Sequence, residues 1–148
     1  MAQEATAFVL KLPSDPPWIE AAVTYLEDRC RAFDYSGSRL SLNFRVGVTE
    51  ALANAVLYGN GGDAARSVRV EVCLDPTRIS LQVVDQGAGF DPSAVPDPRL
   101  AGNIERPGGR GLFLIRELMD EVEYNDRGNA VRLVLRREPD GAHRTLGT

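Results

Sequence analysis

Apolar residues recur along this chain at two periods, and the switches between them divide it into elements. Over residues 6–12, Phe8, Leu10 and Leu12 alternate with their neighbours, the pattern of a half-buried strand. A break runs from Pro13 to Pro17, where Ser14 or Asp15 is placed to cap the next helix and proline is tolerated in its first turn. Ile19, Ala22, Val23, Leu26, Cys30 and Phe33 then share one stripe at about 100° per residue, which predicts an amphipathic helix over 17–33. After the turn Tyr35-Ser-Gly-Ser, a second helix is predicted over 39–58, with Leu40, Phe44, Val48, Ala51, Leu52 and Ala55 toward the core and Asn60-Gly-Gly-Asp ending it. Two strands follow, with Val68, Val70, Val72 and Leu74 and then Ile79, Leu81 and Val83 facing inward, joined by the turn Asp75-Pro-Thr-Arg. Residues 85–109 are rich in proline and glycine and read as one long loop, a feature that is usually functional in a compact domain. A third helix over 110–119 buries Leu112, Ile115 and Met119. Strands at 122–125 and 130–136 flank the hairpin turn Asp126-Arg-Gly-Asn.

The order β-α-α-β-β-loop-α-β-β predicts an α+β fold: a two-layer α/β sandwich with a mixed, mostly antiparallel sheet and helices on one face. A chain of 148 residues suits a single domain spanning 1–148, with its core at about 6–137 and a polar, disordered tail at 138–148. Charged residues at 26% and hydrophobic residues at 43% are those of a soluble globular protein. The net charge of −4 argues against a general nucleic-acid binder, which carries a basic face. No apolar run approaches the roughly 20 residues of a membrane span, and residues 1–8 lack the basic segment of a signal peptide. Cys30 and Cys73 have no CxxC spacing and read as buried small hydrophobes in a reducing compartment, so a cytoplasmic location is expected.

Three places carry candidate chemistry. On the second helix, Asn43, Gly47, Glu50 and Asn54 fall within about 60° of one another on the helical wheel, beside the apolar stripe. A mid-helix glycine costs about 1 kcal/mol relative to alanine. Its presence fits a close approach, with Glu50 as a carboxylate base and Asn54 as an amide oxygen for a hard cation. The plain alternative is a partly exposed Glu and Asn on an ordinary helix. The second place is Val83-Val-Asp-Gln-Gly-Ala-Gly-Phe-Asp. Here a strand ends in Asp85, an acceptor suited to an exocyclic amine, and Gly87 and Gly89 permit positive φ or close backbone approach to a flat ligand. A tight turn with an Asx cap is the alternative. The third place is Pro107-Gly-Gly-Arg-Gly-Leu-Phe-Leu-Ile, where glycines lead into a helix whose free N–H groups and dipole suit an anion, with Arg110 adding charge. It lacks the Gly-Lys-Ser/Thr of a P-loop. A glycine-rich linker with a helix cap is the alternative.

Taken together, in this order and spacing, these segments resemble the GHKL ATPase/kinase superfamily and its Bergerat ATP-binding fold. The N-box resembles Glu50-Ala-Leu-Ala-Asn54-Ala-Val-Leu-Tyr-Gly59-Asn, the first glycine box Asp85-Gln-Gly87-Ala-Gly89-Phe90, and the second Gly109-Arg-Gly111-Leu-Phe-Leu-Ile. Within the superfamily the chain is most similar to the bacterial anti-sigma-factor serine kinases, notably over Gly111-Leu-Phe-Leu-Ile-Arg-Glu-Leu-Met-Asp-Glu-Val-Glu-Tyr.

The resemblance implies ATP and Mg²⁺ as cofactors. Asn54 would coordinate Mg²⁺, Glu50 would be the general base on a partner's serine, and Asp85 would bind the adenine amine. Gly109, Arg110 and Gly111 would close on the phosphates. It also implies a sigma factor and a STAS-type anti-anti-sigma antagonist as partners, and leaves a homodimer open. The chain departs from the pattern at Tyr58-Gly59, where many relatives have His-Gly. It departs again at Gly128-Asn129, where many have Gly-Thr, so Asn129 stands in for the adenine-binding threonine. The implied function is a protein-serine kinase that sequesters a sigma factor and phosphorylates its antagonist, with the 91–109 loop as a nucleotide-dependent lid. The alternatives are a non-catalytic ATP-dependent switch, or a histidine-kinase-type catalytic domain acting on a separate acceptor chain.

Overall fold

The structure, a computed structural model, describes residues 4–87 and 109–137. In chain order these form β1 (Thr6–Pro13), α1 (Pro17–Ala32), α2, β2 (Ser67–Leu74), β3 (Arg78–Val84), α3 (Gly109–Leu118), β4 (Glu121–Tyr124) and β5 (Ala130–Arg136). The helix α2 has a regular α-helical centre, Arg45–Ala53, between two wider π-helical turns, Arg39–Phe44 and Asn54–Gly59. The expected lid at 91–109 falls on or beside residues outside the described set, as does the tail at 138–148.

The strands form one sheet in the order β1-β2-β3-β5-β4. All four ladders between described strands are antiparallel, so the sheet keeps the antiparallel part of the expected mixed pairing. Register lines the apolar positions into continuous rows across the sheet. Phe8 lies opposite Val72, which lies opposite Leu81, then Leu133, then Val122. A second row runs Leu10, Val70, Val83, Val131, Tyr124. Onto these rows pack Val23, Leu26 and Cys30 of α1, Phe44, Val48 and Leu52 of α2, and Ile115 with Met119 from the α3 region. Each fully buried side chain of this size contributes about 1.5–3 kcal/mol, so the helical layer is held on one face, as the periodicity predicts.

Strand parity corrects one expectation. Cys30 is buried, and burial beside Glu27 pushes its thiol up to about 12, but Cys73 is exposed. With Val72 and Leu74 facing the core, the residue between them must face outward. The helix start is corrected as well. Neither Ser14 nor Asp15 caps α1 with its side chain; the N-cap residue is Pro16. Ser14 is instead fully buried, and its hydroxyl donates to the Val56 carbonyl in the second wide turn of α2.

Two polar clusters fix the layers. The buried Glu27 carboxylate accepts from Arg45 of α2 (2.6 Å) and from Arg31 of its own helix, tying α1 to α2. Arg137, just past β5, donates to the carbonyls of Phe33 (3.0 Å), Asp34 (2.8 Å) and Pro76 (2.6 Å), and its guanidinium lies 3.9 Å from the centre of the Tyr35 ring. One arginine thereby joins the end of α1 to the β2–β3 turn. Among the described residues no helix is long and apolar enough to cross a membrane.

Candidate active site

The polar strip on α2 meets α3 along its length, and its four residues divide between two tasks. Asn43 donates from Nδ2 to the Leu118 carbonyl at 2.8 Å, closing the C-terminal end of α3. Gly47 makes room for Met119: a Cβ there would sit 2.9 Å from Sδ. What approaches Gly47 is therefore a core side chain. Glu50 and Asn54 lie further along, where α3 begins. A Cβ placed on Gly111 would be 2.9 Å from Glu50 Oε1 and 3.2 Å from Asn54 Oδ1. The two helices thus run antiparallel, with α3 docked by its C-terminal end and its N-terminal turn laid against a carboxylate and an amide.

Glu50 and Asn54 are half-buried, and neither side chain hydrogen-bonds to another described residue. Their polar atoms are available to a ligand. The first turn of α3, which includes Gly109, Arg110 and Gly111, presents backbone N–H groups without intrahelical partners and the positive end of the helix dipole. Gly111 keeps that turn close to Glu50 and Asn54.

Asp85 stands at the end of β3, 9% exposed. Its backbone N–H donates to the Asn129 carbonyl (2.9 Å), and its Oδ1 accepts the Gly87 N–H (2.8 Å). Burial pushes its carboxyl above the ordinary aspartate range, while the Gly87 N–H and the positive charges of Arg127 and Arg66 pull the other way. The carboxylate lies over Gly59, where any side chain would overlap it, and a side chain on Gly87 would overlap the Gly59 carbonyl. Gly87 is not among the residues with positive φ, so the need for glycine here is close backbone packing. Asn129 brackets Asp85 from the β4–β5 turn: its Nδ2 donates to the Asp85 carbonyl at 3.3 Å, while its Oδ1 accepts from Asn125 at 2.7 Å. Gly89 lies outside the described residues.

In the sequence, Asn60 reads as the end of a helix and the last position of the N-box-like stretch, with no role of its own. Asn60 is 2% exposed and bonds the residue after Asp85. The available signal was an asparagine immediately after a glycine that must be bare. Among the described residues no group of three or more His, Cys, Asp or Glu side chains is placed to hold a metal ion. A cation held by Asn54 would therefore need its other ligands from the bound molecule and water, as Mg²⁺ commonly does on nucleotides.

A five-stranded antiparallel sheet carrying a carboxylate–amide helix, an aspartate at a strand end and a glycine-led helix N-terminus defines an ATPase-type fold. The histidine kinase-like ATPase domain model matches residues 12–135, and the chain belongs to that family. It is 28% identical over 138 residues to the serine-protein kinase RsbW of Listeria monocytogenes, covering 88% of this chain and 87% of that protein. It is 33% identical over 79 residues to the anti-sigma F factor of Bacillus thuringiensis, covering 51% of this chain and 53% of that one. Among solved structures, that of the RsbU and RsbW domains of a Mycobacterium tuberculosis protein superposes with a TM-score of 0.60 at 14% identity. That match covers 88% of this chain, which spans about a third (32%) of the larger protein, and it supports the fold.

Proposed function

We propose that this protein is an ATP-dependent serine/threonine-protein kinase of the anti-sigma type. It sequesters a sigma factor and phosphorylates a serine on a STAS-type anti-anti-sigma antagonist, in the cytoplasm. The observation that carries the reading is the meeting of Glu50, Asn54 and the first turn of α3 within about one side chain's reach, at the site of Gly111. The names of the relatives, serine-protein kinase and anti-sigma factor, support the same role.

Each residue has work suited to its chemistry. The N–H groups at Gly109 to Gly111 bind phosphate oxygens, and Arg110 adds charge. The Asn54 amide oxygen suits Mg²⁺, a hard cation. Glu50, one helical turn before it, accepts the proton of the incoming serine hydroxyl. Asp85 accepts a hydrogen bond from the adenine amine, and Asn129 holds its backbone. When bound, Mg²⁺–ATP would supply the phosphoryl group and the countercharge for its oxygens. The protein's contribution is then positioning and electrostatics.

Titration with a fluorescent ATP analogue tests the assignment. Asp85→Asn is expected to weaken binding about ten- to a hundredfold, the loss of a hydrogen bond to a charged group. Asn54→Ala is expected to abolish the Mg²⁺ dependence of binding without lowering the melting temperature, because alanine is the better helix former. Unchanged affinity in a folded Asp85→Asn protein removes Asp85 from the site. Surviving Mg²⁺ dependence in Asn54→Ala removes Asn54 as the metal ligand.

A further inference from the structure

We propose that Asn60 is the positioning residue that aims Asp85 and so sets the protein's preference among nucleotide bases; the inference rests on the adenine assignment made above. Asn60 is 2% exposed, and its side chain bonds only to backbone. Its Nδ2 donates to the Ser67 carbonyl at 3.0 Å, where β2 begins. Its Oδ1 accepts the Gln86 N–H at 2.7 Å, one residue past Asp85. Its own N–H donates to the Ala55 carbonyl at 2.8 Å, closing the wide final turn of α2. Gln86 completes the ring, its Oε1 accepting the Ser67 N–H at 2.7 Å.

This ring requires one short planar group carrying both a donor and an acceptor, which describes asparagine. Aspartate would turn an acceptor toward the Ser67 carbonyl, and an aliphatic residue would leave the Gln86 N–H without its partner. The neighbouring Gly59 packs against the same segment, under the Asp85 carboxylate and against Gly87. The dipeptide 59–60 therefore grips residues 85–87 from one side, while the Asn129 carbonyl holds the Asp85 N–H from the other. With the backbone held on both flanks and Oδ1 taken by the Gly87 N–H, Oδ2, which lies over Gly59, is the oxygen left for the proposed donor on the ligand. The side-chain hydrogen bonds of Asn60 go to the backbone of Ser67 and Gln86 and to none of the ligand-facing groups proposed above, so it acts through the segment that carries Asp85.

The test compares ATP with inosine triphosphate, which has a carbonyl in place of the exocyclic amine, by equilibrium binding to the full chain. The wild-type protein is expected to favour ATP. Asn60→Ala is expected to lose about tenfold in ATP affinity, with inosine triphosphate changing by less than about twofold, so that discrimination collapses. A folded Asn60→Ala protein that retains the wild-type ratio overturns the proposal, and so does one that loses affinity for both nucleotides equally, the mark of a structural role alone. Should Asn60→Ala fail to fold, Gln86→Ala decides, since its exposed side chain removes one bond of the ring. A fall of about threefold in the ATP preference supports the proposal, and an unchanged preference overturns it. Wild-type protein that binds neither nucleotide overturns the adenine assignment itself, a result separable from both failures above.

Discussion

At the scale of single residues, Asp85 is where burial meets the proposed contact with adenine. An acid whose folded-state pKa is raised binds its proton more tightly in the folded protein than in the unfolded chain. Its contribution to stability therefore improves as pH falls through that raised value, and at neutral pH the buried carboxylate weighs against the ligand-free fold. ATP affinity runs in the opposite direction, because the proposed bond to adenine uses the ionised form. ATP binding is thus expected to weaken on acidification at a pH above about 3.9, where an ordinary aspartate titrates, and Asp85→Asn should remove that component. Binding isotherms across pH for the two proteins check it. A wild-type affinity that stays flat down to the ordinary carboxylate range contradicts the assignment. Gly59 and Gly87 belong at this scale too. Neither has positive φ: Gly59 is bare because the Asp85 carboxylate lies over it, and Gly87 because the Gly59 carbonyl lies against it.

At the scale of elements, α2 is the organising rod. Its apolar stripe, read from Leu40, Phe44, Val48 and Leu52, is fully buried, and the strand parity read from Val68 to Leu74 recurs in the register of β2. That Glu50 and Asn54 share one face was legible because both lie on one strip beside that stripe. The different tasks of Asn43 and Gly47 were not, since they depend on where Leu118 and Met119 arrive through tertiary packing. The wide turns of α2 were also hidden: a π turn shifts hydrogen-bond partners by one residue, and no residue type marks the change. Arg137, one residue past the last predicted strand, carries no signal in the sequence, yet it ties α1 to the β2–β3 turn. Arg137→Ala is expected to cost about 1–3 kcal/mol, from lost bonds to carbonyls and the lost stacking on Tyr35. Urea unfolding measures it, and a loss below about 0.5 kcal/mol, the range of ordinary surface changes, would show that the contacts are incidental.

At the scale of the whole molecule, the candidate site is assembled from four separated segments: 50–60, 85–87, 109–111 and 129. The helix α2 supplies the proposed general base and metal ligand, the β3 end the proposed adenine-reading acid, and α3 the proposed phosphate-binding turn. The arrangement reads as that of a kinase acting on another protein, because Glu50 stands half-buried beside the proposed phosphate end without an internal partner among the described residues.

That claim is tested most directly by incubating the chain with labelled ATP, Mg²⁺ and the proposed STAS-type antagonist, then identifying the phosphorylated amino acid for wild type and Glu50→Gln. The account expects phosphoserine from the wild type. It expects a rate lower by about 10²–10⁴ from Glu50→Gln, the usual loss when a general base is removed, with ATP affinity retained. Wild-type protein that binds ATP and the antagonist yet transfers no phosphate, or that yields acid-labile phosphohistidine, would contradict it.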